Sequence, residues 1–162
     1  MGVAGVGKTA VGSRVAAELG LPFHDADDLH PEANRRKMAS GVPLTEEDRE
    51  PWLATVAERM TAWEREGGAV VACSALRDRH RLRLAAAAPG SVRFVFLDAP
   101  ADLIRMRLAA RVGHYMPASL LDSQLATLEP PGPHEALRID ASGTPADTAC
   151  AVVSALRRAS RT

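Results

Sequence analysis

Lysine is almost missing from this chain: of twenty Lys and Arg residues only Lys8 and Lys37 are lysine. Lysine is a compact point charge and arginine a planar fork, so the two lysines mark places where a point charge is wanted. Cysteine is nearly absent too, with only Cys73 and Cys150. That excludes a disulfide-stapled fold and points to free thiols in a reducing cytoplasm. Twenty acidic residues cancel the twenty basic ones, which removes the electrostatic track that a nucleic acid or an anionic membrane needs. No apolar run reaches the roughly 20 residues of a membrane-spanning helix, and no signal-peptide pattern occurs. The five histidines share no ligand spacing with the cysteines, so a structural zinc is not expected.

What the sequence does hold is Gly2-Val3-Ala4-Gly5-Val6-Gly7-Lys8-Thr9, which fits the phosphate-binding P-loop pattern G-x-x-x-x-G-K-[ST]. Small residues let consecutive backbone N–H groups turn inward around a β-phosphate, and the helix that follows aims its positive end at the same anion. Lys8 then reaches the β- and γ-phosphates, and the Thr9 hydroxyl ligates Mg²⁺. A merely glycine-rich stretch is the alternative. Against it, Val11, Val15, Ala16 and Leu19 recur at helical spacing up to Gly20, a natural C-cap. Such a loop ordinarily follows a buried strand, yet only Met1 stands before Gly2. About five apolar side chains buried at ~1.5–3 kcal/mol each contribute on the order of 10 kcal/mol. The first strand is therefore expected upstream, with Met1 an internal methionine.

Beyond Gly20, Leu21 to His24 reads as a short strand ending in Asp25-Ala26-Asp27-Asp28. Acids at a strand's carboxyl end lie where open α/β sheets bind ligands. Alternation sets Asp25 and Asp27 on one side, the first suited to Mg²⁺ and the second to accepting a hydroxyl proton; a solvated acidic turn is the bland reading. A short helix is expected between Leu29 and Gly41. A capping box at Thr45 and Asp48 then opens a long helix whose Trp52, Leu53, Val56, Met60 and Trp63 form a core stripe. Arg49 sits in the first turn of that helix, where a cation is disfavoured unless an anion or polyol compensates.

Ala69 to Cys73 and Ser91 to Asp98 read as buried strands, with a helix from Arg77 to Ala88 between them, most of whose arginines are expected to form a solvated face. Pro100 opens another helix, in which Arg107 and Arg111 lie one turn apart. A break at Val112 to Met116 and a helix from Ala118 to Leu128 suggest a mobile lid over about 111–127. Leu137 to Asp140 and a helix from Pro145 complete the pattern. Strands alternating with helices over 162 residues imply one domain spanning 1–162, a three-layer α/β/α sandwich with a parallel sheet. Small size, an acidic pair after the P-loop helix and an arginine-bearing lid fit a kinase that closes over a small acceptor.

Asp25-Ala26-Asp27-Asp28-Leu29-His30-Pro31, Asn34, Lys37 to Gly41, Pro43-Leu44, Asp48-Arg49, Pro51-Trp52-Leu53 and Cys73-Ser74-Ala75-Leu76 closely resemble the short, P-loop type of gluconokinase. Arg111 to Met116, Ser123-Gln124 and Leu128-Glu129 are similar as well, so the resemblance runs from Gly2 to about Pro131. It implies a P-loop NTPase fold of the nucleoside- and shikimate-kinase kind, and ATP-dependent phosphorylation of D-gluconate to 6-phospho-D-gluconate. It also implies a possible homodimer. Carried over, it gives Gly2, Gly5, Val6, Gly7, Lys8, Thr9 and Ala10 to ATP, and Thr9 with Asp25 to Mg²⁺. Asp27 becomes the base, and Arg49 forks onto the gluconate carboxylate. His30, Lys37 and Arg77 are acceptor-pocket candidates. Arg107 and Arg111 would neutralise the transferring phosphoryl group, and His114 and Gln124 would touch either ligand. Lys8, Asp27 and Arg111 form the implied catalytic set. The rival readings are a related kinase acting on shikimate or another sugar acid, and a nucleotide-binding module without catalysis.

Overall fold

The computed structural model describes residues 1–110 and 118–159. Helix α1 (Lys8–Leu19) grows directly out of the glycine loop, because Gly7 takes φ 108° and ψ 16°, a left-handed conformation that a side chain would strain. Gly20, at φ 66°, ends it with backbone bonds to Ala16 and Ala17. Strand β1 (Phe23–Asp25) follows, then a 3₁₀ turn (Ala26–Leu29), α2 (Glu32–Ala39) and α3 (Glu46–Arg65). The capping box is formed as the spacing predicts: Asp48 N donates to Thr45 Oγ1 at 3.2 Å and Thr45 N to Asp48 Oδ2 at 2.8 Å. Next come β2 (Val70–Ala72), α4 (Asp78–Ala87), β3 (Phe94–Asp98), α5 (Ala101–Ala109), α6 (Ala118–Thr127), β4 (Ala136–Asp140) and α7 (Pro145–Ala159).

All pairing among these strands is parallel. β1 lies beside β2 with Phe23 opposite Val70 and Asp25 opposite Ala72, and β3 lies beside β4 with Phe94 opposite Ala136 and Asp98 opposite Asp140. Between the two pairs run Met1 and Gly2. The Met1 amino group donates to Val95 O at 2.6 Å, Leu97 N donates to Met1 O at 3.0 Å, and Gly2 N donates to Ser74 O at 3.2 Å. Those two residues thus carry the chain from the β3 side to the β2 side and deliver the glycine loop. Beside them a cavity of about 330 Å³ is lined by Val15, Val71, Cys73, Phe94, Val95 and Val152 among others. The buried amino group of Met1 is pushed down to about 5 by desolvation, with the Lys8 charge adding to the effect.

One apolar layer joins Val11 and Val15 of α1, Leu97, Ile104 and Leu121 to Val152 and Val153 of α7. A second joins Ala26, Trp52, Leu53 and Val56 of α3, Cys73 and Leu84 of α4. The strands lie between them, which is the three-layer arrangement. Both tryptophans serve packing: Trp52 donates from Nε1 to Ala26 O at 2.7 Å, and Trp63 stacks on His24 at 4.0 Å. Cys73 and Cys150 are free thiols, and burial pushes the Cys73 thiol up to about 12.

Arg81 departs from the solvated face expected of most of the arginines of α4, being 2% exposed. It bonds Glu135 through Nε and the carbonyls of Ala75, Leu76 and Glu129 through Nη1. A buried guanidinium is tolerable when its donors are spent in this way, and it ties α4 to the segment before β4.

Candidate active site

The glycine loop and α1 make an anion-ready helix start. Gly7 supplies no side-chain cap and the first turn carries no acid, so the helix's positive end is not quenched internally. Gly5 is required by contact: a Cβ there would lie 2.6 Å from Leu108 Cγ. Lys8 lies back along the loop, its Nζ donating to Val3 O at 3.1 Å. Gln124 of α6 reaches the same loop, its Oε1 accepting from Ala4 N at 2.7 Å.

Thr9 and Asp25 meet beneath the loop, with Thr9 Oγ1 donating to Asp25 Oδ2 at 2.7 Å. The other Asp25 oxygen accepts from Asp27 N at 3.1 Å and caps the 3₁₀ turn. Asp27 is therefore not a strand residue alternating with Asp25; it stands on the turn that Asp25 caps, which still brings both carboxylates to the β1 end. Desolvation by the surrounding protein raises the Asp27 carboxyl above its ordinary 3.8, the Lys8 charge opposes that, and Asp25 and Asp28 add to it. Its side chain nonetheless remains 60% exposed, open to a ligand from solvent.

His30 stacks on Trp52 with centroids 4.3 Å apart, and its Nε2 lies 3.8 Å from Asp27 Oδ1. Burial, then the charges of Arg49 and Arg35, push His30 down to about 4, so at neutral pH it is an uncharged ring that orients without repelling a cation. Asn34, unassigned from sequence beyond the resemblance, is buried and donates to Asp48 O at 2.7 Å. Lys37 Nζ lies 2.6 Å from Asp48 Oδ2, so one carboxylate serves both the helix cap and this lysine. Arg49 is half-buried and bonds Glu46 Oε1 at 3.1 Å through Nη1; Arg77 Nε comes within 3.3 Å of the same oxygen.

Arg107 is placed differently from the phosphoryl-neutralising role expected of it. Its guanidinium donates to the carbonyls of Ala141 at 2.7 Å, Ser142 at 3.0 Å and Gly143 at 2.9 Å, joining α5 to the loop after β4. Arg111 and His114, with the 111–117 part of the expected lid, lie outside the described residues, while 118–127 of it form α6. Sequence reasoning missed Glu46, which hides among three consecutive acids, and His80, which is buried against it.

A glycine loop feeding a helix, a Thr–Asp contact beneath it and a second carboxylate beside cationic side chains define a small P-loop kinase. Comparison with known proteins narrows this. A family described as an AAA domain matches residues 1–131. The gluconokinase of Gluconobacter oxydans (strain 621H) is 47% identical over 136 residues, covering 83% of this chain and 76% of that protein. The crystal structure of a gluconokinase from Sinorhizobium meliloti 1021 superposes with a TM-score of 0.89 at 43% identity, covering 98% of this chain and 89% of that one. The shikimate kinase of Aquifex aeolicus, at 14% identity and a TM-score of 0.63, shares the fold alone. This chain belongs to the gluconokinase family.

Proposed function

We propose that the protein transfers the γ-phosphoryl group of ATP in line to D-gluconate, giving 6-phospho-D-gluconate. The observation that carries this is the 2.7 Å contact of Thr9 with Asp25 beneath the loop, with Asp27 on the adjoining turn, in a chain 47% identical to a gluconokinase. The amides of Gly2, Gly5, Val6, Gly7, Lys8, Thr9 and Ala10 receive the nucleotide phosphates. A hydroxyl and a carboxylate are hard oxygen donors that suit Mg²⁺, so Thr9 and Asp25 are its protein partners. When bound, the ion neutralises charge on the phosphate oxygens. Among the described residues no group of three or more His, Cys, Asp or Glu is placed to hold a metal ion.

Asp27 takes the proton of the acceptor hydroxyl, and Lys8 stabilises the negative charge shared by Asp27 and the phosphates. Arg49, Lys37, Arg77 and neutral His30 form the acceptor wall, with Arg49 offering a bidentate match to a carboxylate. Gln124 guards the loop, and Arg107 acts through the 141–143 carbonyls on the nucleotide side; the family resemblance gives Arg111 the neutralisation of the transferring phosphoryl group and His114 a contact with either ligand. The protein works as a homodimer in the cytoplasm. Among the described residues no helix is long and apolar enough to cross a membrane.

The test is coupled ADP release with Mg·ATP and gluconate, shikimate, glucose or no acceptor. Release is expected with gluconate at least about 100-fold above the others, and lost in Lys8→Ala with the fold intact. Equal or greater release with shikimate would transfer the assignment to that acceptor.

A further inference from the structure

Glu46 opens α3, and its carboxylate is the meeting point of two helix starts. Oε1 accepts from Arg49 Nη1 at 3.1 Å and lies 3.3 Å from Arg77 Nε. Oε2 is 2.5 Å from Arg79 Nη2 and 2.9 Å from His80 Nε2. Arg77 is the N-cap of α4, and Arg79 and His80 belong to its first turn. Burial lowers the His80 pKa from 6.5 despite the Glu46 bond, so at neutral pH His80 donates as an uncharged ring. Burial alone would raise the Glu46 carboxyl, but the His80 bond and the charges of Arg49 and Arg79 hold it below the ordinary range. Three guanidinium groups thus share one carboxylate. The neighbouring acids are spent elsewhere, Asp48 on Lys37 and Asp78 on Arg81.

Cations at helix N-termini are unfavourable unless an anion compensates them, and a single carboxylate undercompensates this set. Arg77 Nε is buried and makes no hydrogen bond, its approach to Glu46 being electrostatic only. Glu46 engages Arg49 through one Nη and Arg77 from its Nε side, which fixes how the two guanidinium planes are turned.

We infer that Glu46 is a positioning residue for the acceptor: it turns Arg49 and Arg77 so that their outer edges receive the acceptor's carboxylate. The inference rests on the gluconate reading. Without Glu46 the arginines repel one another and splay, so acceptor binding weakens while nucleotide binding, made on another element, does not.

The experiment compares wild type, Glu46→Gln and Glu46→Asp by steady-state kinetics, with thermal melting alongside. Expected in Glu46→Gln is a gluconate KM raised about tenfold or more, an ATP KM within about twofold and a kcat within about threefold. Glu46→Asp, which restores the charge, recovers part of the gluconate KM. An unchanged gluconate KM overturns the inference, as does a rise in both KM values together with a lowered melting temperature. A lowered gluconate KM also overturns it, because Glu46 would then be competing with the acceptor. Wild type showing no gluconate-dependent turnover would instead sink the gluconate reading and this inference with it.

Discussion

Asp25 uses both of its carboxyl oxygens, one on Thr9 and one on the amide of Asp27. Two carboxylates close in sequence are thereby given different work: Asp25 is fixed and hydrogen-bonded, whereas Asp27 is exposed with its pKa raised. Only the ionised form of Asp27 can accept a proton. A raised pKa means that the active form is lost at higher pH than for an ordinary aspartate, as pH falls toward and through that value. The kcat/KM profile for gluconate should therefore show an acid limb above 3.8. Asp27→Asn should abolish that limb and lower kcat by about 10²–10⁴-fold. A profile that is flat down to the ordinary aspartate range would remove Asp27 as the base. The pairing of Asp25 and Asp27 was legible from their position after a short strand, but the 3₁₀ turn that presents Asp27 was not. It depends on Asp25 accepting from an amide two residues on, which no periodicity announces.

At the scale of elements, helix starts and stops were the most legible features, because each rests on local chemistry: Gly7 and Gly20 around α1, and Thr45 with Asp48 at α3. Thr45→Ala should lower stability by about 1 kcal/mol, a melting shift of roughly 2–4 °C, and leave the ATP KM unchanged. No melting shift would mean that the cap does not hold the helix start. What could not be read locally was the role of α4. Its arginines at 77, 79, 81 and 83 alternate in sequence, yet Arg81 is buried on Glu135 and three carbonyls while Arg83 pairs with Glu50 at the surface. Their partners lie up to 54 residues away, beyond the reach of a pattern read within one helix. Glu46 was hidden for the same reason, since two of its three arginines, Arg77 and Arg79, come from the start of α4.

For the molecule as a whole, the two parallel strand pairs are bridged by Met1 and Gly2, beside a cavity of about 330 Å³ with mostly aliphatic walls. The Val95 and Ser74 carbonyls that bond Met1 and Gly2 show that backbone between the pairs is satisfied from both sides. An engineered extension of about five β-branched apolar residues ahead of Met1 should enter this space. It would convert the buried, desolvated amino group into an amide and raise the melting temperature by at least about 5 °C. An unchanged melting temperature would show that the space closes without it. The fold class and the P-loop were legible over the whole chain because glycine spacing and alternating elements are global patterns. Of the proposed acceptor wall, Arg49 stood out from its place in a helix's first turn, whereas His30, Lys37 and Arg77 were reached only through the resemblance.

The most direct test of the account measures ADP and orthophosphate together as the protein turns over Mg·ATP with gluconate, with the phosphorylated product identified by ³¹P NMR. One ADP is expected for each molecule of 6-phosphogluconate, with no orthophosphate above the acceptor-free rate. ADP appearing with equal orthophosphate, and no phosphate ester, would contradict it.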